Sequence, residues 1–278
     1  MSKIKIAIAK TPILGRSLLV LFRAKICLGY YQKPLINLVK WLFLSKEISN
    51  YTYDLDETNK RYLASMIADI TNQKFNKIMA YINEIESDTE LRAHISKATI
   101  KSPYAFMADK NVYFGRRVGW YAFARAIKPK IIVETGVDKG LGSCVLTAAL
   151  RRNSQEGCEG KYYGTDINPN AGYLLSGDYL NYGNILYGDS IESLQKLDSD
   201  IDLFINDSDH SEEYEAEEYK TVSNKLSEFA IILGDNSHCT DKLLQFSLDM
   251  NRKFFFFQER PKEHWYSGGG IGISFKRR

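Results

Sequence analysis

Residues 131–143 read Ile131-Ile132-Val133-Glu134-Thr135-Gly136-Val137-Asp138-Lys139-Gly140-Leu141-Gly142-Ser143. A β-branched run, an acid, a glycine-bearing turn and then helix-compatible residues predict a strand that ends in a tight loop and passes into a helix. Backbone N–H groups at such a turn can approach a ligand closely. A dinucleotide site would want glycines at the GxGxxG spacing, but Asp138 stands where the second would fall. A carboxylate there opposes a pyrophosphate and tolerates a cationic or zwitterionic ligand.

Outward from this loop the same texture repeats. Short runs rich in Ile, Val, Phe and Tyr fall at Lys130–Glu134, Lys161–Asp166, Asn184–Tyr187, Ile201–Asn206, Phe229–Leu233, Lys253–Gln258 and Ile271–Phe275. Helical stretches separate the first five, among them Leu141–Arg152 and Ser211–Leu226, where Tyr219, Val222 and Leu226 share one face. The expectation is an α/β fold: a Rossmann-like, seven-stranded, mainly parallel sheet with helices on both faces. The last two runs are joined by residues 259–270 without a helix signal, which predicts an antiparallel last strand.

Upstream, Leu63, Ile67, Ile70, Ile78, Ile82 and Ile85 predict one long amphipathic helix over 58–86. The organisation expected is a helical N-terminal extension over 1–108 and an α/β domain over 109–278. Residues 1–46 carry nine Lys or Arg and no Asp or Glu, so the remainder is acidic by six although the chain totals +3. That distribution argues against a nucleic-acid-binding core. The basic segment, with clusters such as Leu18–Phe22 and Trp41–Leu44, can lie on an anionic membrane as a peripheral contact. The plainer reading is a helical extension packed on the core. The four cysteines are scattered, with neither disulfide-framework nor zinc-type spacing, which fits a reducing cytoplasm. No apolar run has the length of an ordinary membrane span, and the start has no signal-peptide pattern.

In sheets of this kind ligands sit beyond the carboxyl ends of the strands. The second strand ends at Asp166, a carboxylate placed to accept from both hydroxyls of a ribose. The third ends at Asp189-Ser190, an N-cap pair that can also meet an adenine amino group. The fourth runs through Ile205-Asn206-Asp207-Ser208-Asp209-His210, and the fifth through Leu233-Gly234-Asp235-Asn236. Adjacent strands would bring Asp207 beside Asp235 and Asn236, a hard all-oxygen set suited to Mg²⁺.

These strand ends resemble the S-adenosylmethionine-dependent methyltransferases of the Rossmann-like class, over roughly residues 110–278. The first turn looks closer to the Glu-x-Gly-x-x-x-Gly-x-x-Ser form of small-molecule O-methyltransferases than to the commoner glycine-richer one. The resemblance implies S-adenosylmethionine as cofactor, surrounded by Glu134, Gly136, Gly140, Ser143, Asp166, Asp189 and Ser190. Asp207, Asp235 and Asn236 resemble the metal ligands of the catechol and macrolide-sugar enzymes, with Asp235-Asn236 as in the catechol type. His210, three residues after Asp207, resembles the candidate general base of the macrolide-sugar type. The implied activity is Mg²⁺-assisted methylation of a hydroxyl on a small molecule or glycoside carrying a vicinal diol, with Asp207 and His210 catalytic. Three alternatives remain open: a dinucleotide oxidoreductase, a non-catalytic binding protein on the same fold, and a metal-dependent hydrolase or hydroxylase. Asp209 reads as a cap, His238 as packing, His94 as surface, and Lys139, Arg116 and Arg117 as solvated charges. The loop around His264 is a candidate substrate contact. The residues leave oligomeric state open.

Overall fold

The seven strands are β1 (Ile131–Thr135), β2 (Lys161–Asp166), β3 (Gly183–Tyr187), β4 (Ile201–Asn206), β5 (Leu226–Gly234), β6 (Lys253–Gln258) and β7 (Gly270–Phe275). They form one sheet in the order β3-β2-β1-β4-β5-β7-β6. Every pairing is parallel except those of β7, which runs antiparallel between β5 and β6. The computed structural model describes residues 11, 14–48, 52–109, 111–197 and 200–277; Lys3, Lys5 and Lys10 of the basic segment lie outside them.

Helices in chain order are α1 (Leu14–Leu44), α2 (Glu57–Thr71), α3 (Phe75–Glu86), α4 (Thr89–Lys101), α5 (Arg117–Ile127), α6 (Leu141–Gln155), α7 (Ser190–Lys196), α8 (Glu212–Val222) and α9 (Lys242–Asp249). The single helix expected over 58–86 is two. Asn72 adopts φ 52°, and the N–H of Gln73 bonds the carbonyl of Ala68 at 3.0 Å, a left-handed stop that ends α2 before α3 begins. The expected apolar stripe is nevertheless buried, Leu63 and Ile67 from α2 and Ile78, Ile82 and Ile85 from α3, except for Ile70, which is half-buried.

The described residues divide into two compact units. One draws on the span Met1–Ser45 together with Glu263–Ser267; the other comprises Lys46–Lys262 and Gly268–Arg278. In the first, the ring of Trp41 on α1 packs against that of Trp265, with centroids 5.2 Å apart and planes tilted by 57°. The second unit begins at Lys46. Helices α2 to α4 belong with the sheet, because residues 52–60 are stitched to the end of β6. Leu55 bridges Pro261, Asn59 Nδ2 donates to the carbonyl of Gln258 at 3.0 Å, and the Tyr53 hydroxyl donates to Glu259 at 2.9 Å.

The sheet core beside the site consists of Val133, Phe204 and Ile232 from three adjacent strands, closed by Tyr219 and Val222 of α8 and Leu243 of α9. Strand register then sets the rim. Thr135 pairs with Asn206, and Asn206 with Gly234. The next residues, Gly136, Asp207 and Asp235, therefore begin their loops side by side.

Candidate active site

The loop after β1 crosses the end of β4 at the closest approach the backbone allows. Gly136 sits at φ 78°, and a Cβ there would lie 2.0 Å from the carbonyl oxygen of Asp207. Only glycine meets both conditions. The Asp138 N–H donates to Asp166 Oδ2 at 3.0 Å, and the Asn168 N–H to Asp166 Oδ1 at 2.8 Å, so the β2 carboxylate fixes both loops. Asp189 caps α7 by accepting from the Glu192 N–H at 3.0 Å and also accepts from the Tyr214 hydroxyl at 2.9 Å.

A cavity of about 570 Å³ opens over these strand ends. Of the residues expected at the site, it is lined by Gly136, Asp166, Asp189, Ser190, Asp207, His210 and Asp235; Glu134, Gly140, Ser143 and Asn236 are not on its wall. Glu134 is 1% exposed and accepts from the Tyr162 hydroxyl at 2.5 Å, while Ser143 meets the same hydroxyl at 2.7 Å. The carboxyl is packed beneath Gly142 of α6, and burial pushes its pKa from the ordinary 4.5 up to about 7. Gly140, at φ 90°, shapes the entry to α6. Ser190 donates to the buried carboxylate of Glu218, so it serves the framework as well as the rim.

Glu218 is fully buried and gathers the β1 and β4 ends. It accepts from Thr135 at 3.2 Å and Ser208 at 2.7 Å, and also from Ser190 and Asn206. Burial raises its pKa.

The acidic pair departs from the bare metal cage expected. Asp207 and Asp235 face one another, and burial together with the neighbouring charge of Asp235 pushes the Asp207 pKa well up. Arg116 pairs with both oxygens of Asp235 and also reaches Glu259 at 3.3 Å. Arg117 lies 3.8 Å from Asp207 and 5.1 Å above the Trp120 ring. The expectation of solvated charges at Arg116 and Arg117 is therefore corrected: both, at the start of α5, turn inward, Arg116 to the buried Asp235 and Glu259 and Arg117 toward Asp207. Asn236, fully buried, accepts from His210 through Oδ1 and donates to the Asp209 carbonyl at 3.4 Å. No group of three or more His, Cys, Asp or Glu side chains placed to hold a metal occurs among the described residues. With Asp235 engaged by Arg116 and the amide oxygen by His210, the donor set as arranged does not fit Mg²⁺.

An adenosyl cofactor fits better. The Thr165 hydroxyl, on the cavity wall beside Asp166, is buried without a partner, and Gly136 lines the same cavity. Sequence reading missed Thr165, whose only signal is its place one residue before the strand-end acid. Of the other histidines, His238 Nδ1 meets the Asp235 carbonyl at 3.0 Å. His94 is anchored rather than free at the surface, with Nε2 2.9 Å from the Leu174 carbonyl and its ring against Tyr179. His264 stacks on Trp265 in the other unit.

Residues 133–237 match a family described as a methyltransferase domain. No curated protein matches the chain. Among solved structures, the O-methyltransferase TomG from Streptomyces achromogenes, involved in tomaymycin synthesis and in complex with S-adenosylmethionine, is similar in fold. Its identity is 14%, with a TM-score of 0.51 over 69% of this chain and 92% of that one. The S-adenosylhomocysteine-bound methyltransferase PaMTH1 of Podospora anserina aligns at 16% identity and TM-score 0.49, over 73% and 95% of the two chains. A Geobacter sulfurreducens methyltransferase aligns at 16% and 0.49, over 73% and 97%.

Proposed function

We propose that this chain, a class I S-adenosylmethionine-dependent methyltransferase by its fold and by the domain matched over residues 133–237, methylates a hydroxyl oxygen of a small hydroxyl-rich acceptor, such as a sugar or glycoside with a vicinal diol. One observation carries the reading. His210, held through Nδ1 by Asn236, lines the same cavity as the strand-end acids Asp166 and Asp189.

Asp166 and Thr165 are placed to hold ribose hydroxyls, Asp189 an adenine amino group, and the turn at Gly136 the remainder of the cofactor. When bound, S-adenosylmethionine supplies an electrophilic methyl carbon on a positively charged sulfur. Asp138 at the wall suits that positive charge and disfavours the pyrophosphate of a dinucleotide. A hydroxyl is a poor nucleophile near neutral pH and must lose its proton as it reacts. With Nδ1–H donated to Asn236, the lone pair of His210 lies on Nε2, free to take that proton. Burial and the neighbouring Asp235 push the Asp207 pKa up and favour its proton-donating form, while Asp235, paired with Arg116, offers acceptor oxygens. Two adjacent hydroxyls of one acceptor can meet that pair, which fixes the reacting oxygen by position. Magnesium has no step in this reading because Asp235 pairs with Arg116 and the Asn236 amide oxygen accepts from His210.

The experiment is calorimetric titration with S-adenosylmethionine and NADH side by side, followed by mass detection of one added methyl on hydroxylated acceptors. Binding of S-adenosylmethionine alone, with transfer lost in His210→Ala, is the expected result. Transfer to thiol or amine acceptors only, or saturable NADH binding, would overturn it.

A further inference from the structure

Helix α1 spans Leu14–Leu44 and contains Arg16, Arg23, Lys25, Lys33 and Lys40 with no acidic residue. Its apolar residues are not hidden. Leu21, Leu28, Leu35 and Leu42 are 68%, 58%, 50% and 58% exposed, and Tyr31, Val39 and Phe43 are 64%, 54% and 81% exposed. At 3.6 residues per turn these seven fall within an arc of roughly 120° along one side; Arg16, Arg23, Lys33 and Lys40 lie off it, and Lys25 falls at its edge beside the direction of Phe43. Water is a poor solvent for an exposed apolar stripe of this length, which only Lys25 and Gln32 interrupt among its charged and amide residues.

Three occupants are conceivable for such a stripe, and charge separates them. The seven-residue recurrence of leucine is that of a paired helix, but a second copy would bring five cations against five with no acid at any flanking position. A transmembrane arrangement is excluded for α1, since no helix among the described residues is long and apolar enough to cross a membrane. An acid-free helix with an apolar side and basic flanks matches a surface that is apolar beneath and negative on top. We infer that α1 docks, lying in the interfacial plane, on a lipid bilayer containing anionic headgroups. Leu21, Leu28, Leu35, Leu42 and Phe43 enter the acyl boundary, and the Lys and Arg side chains reach the headgroups.

The test is co-sedimentation of the full chain with phosphatidylcholine vesicles and with phosphatidylcholine–phosphatidylserine vesicles, at low and high NaCl. Partition onto the anionic vesicles should exceed that onto neutral ones by about tenfold or more and fall with salt. Leu28→Asp/Leu35→Asp should abolish it, and Lys33→Glu/Lys40→Glu should weaken it, with circular dichroism and S-adenosylmethionine binding unchanged in both variants. Equal partition onto both vesicles, or none onto either, overturns the inference. So does a chain that sediments as a dimer which Leu28→Asp/Leu35→Asp converts to monomer, because the stripe then belongs to a second copy. Cofactor binding is measured separately, so failure of the membrane inference leaves the methyltransferase reading untouched.

Discussion

On the proposed reading His210 acts as the base, and Asn236 holds it through Nδ1. Deleting the imidazole should lower kcat by about 10²–10⁴-fold in His210→Ala, with the S-adenosylmethionine Kd held within about twofold. Asn236→Ala should also lower kcat by freeing the ring. Asn236→Asp restores an acceptor for Nδ1–H and adds a negative charge that stabilises imidazolium, so the acid limb of the kcat profile should move to higher pH. A merely structural Asn236 would give no such movement. The arginine pairing makes a second residue-scale prediction: dialysis against EDTA should leave methyl transfer within about twofold of its untreated rate, whereas loss on chelation and recovery with Mg²⁺ would restore the metal to the site. Arg116 and Arg117 show why the sequence misdirects here. Two adjacent arginines before an apolar segment look like any solvated pair, and only the approach of β1, β4 and β5 places buried carboxylates opposite them.

Elements are held at the rim by two buried carboxyl groups with different duties. Glu218 on α8 ties Thr135, Asn206 and Ser208 to Ser190 at the start of α7. Glu218→Ala leaves those donors in a dry interior and should destabilise the fold by about 3 kcal/mol, read from the urea midpoint. Glu134, under α6, has its folded pKa raised to about 7 from 4.5. A raised carboxyl pKa means that the folded state holds the proton more tightly than the unfolded chain. Stability from this group is therefore complete below about pH 4.5 and is lost as pH climbs through 7, by up to ~3 kcal/mol. Glu134→Gln keeps an acceptor for the Tyr162 hydroxyl without the charge, so its denaturation free energy should fall less than the parent's between pH 5 and pH 8. The turn pattern located Glu134 in the chain correctly. It did not reveal that the carboxyl packs against Tyr162 beneath Gly142, since burial depends on what α6 lays over the strand.

For the whole molecule, the buried core is concentrated in the unit built from Lys46–Lys262 and Gly268–Arg278. A chain starting at Lys46 should keep a single cooperative thermal transition and lose vesicle partition; a broad melt would show that the first 45 residues contribute to the core. Six of the strands were legible in the sequence to within one residue, whereas β5 begins at Leu226, three residues before the expected Phe229. Lys161–Asp166, Ile201–Asn206 and Lys253–Gln258 coincide with the structure, because β-branched and aromatic runs between turn residues have few other ways to satisfy their backbones. Alternation with helices then fixed a mainly parallel sheet, and with it the rim where Gly136, Asp166, Asp189, Asp207 and Asp235 gather. The sequence could not say which acids face the cavity and which the interior, nor which cations answer them. Those outcomes rest on register and on side-chain contacts between residues far apart in the chain, such as Arg116 with Glu259, 143 residues away. Local pattern carries the periodicity of one element, whereas the pairing of buried charges is decided only when distant elements exclude water from the same place.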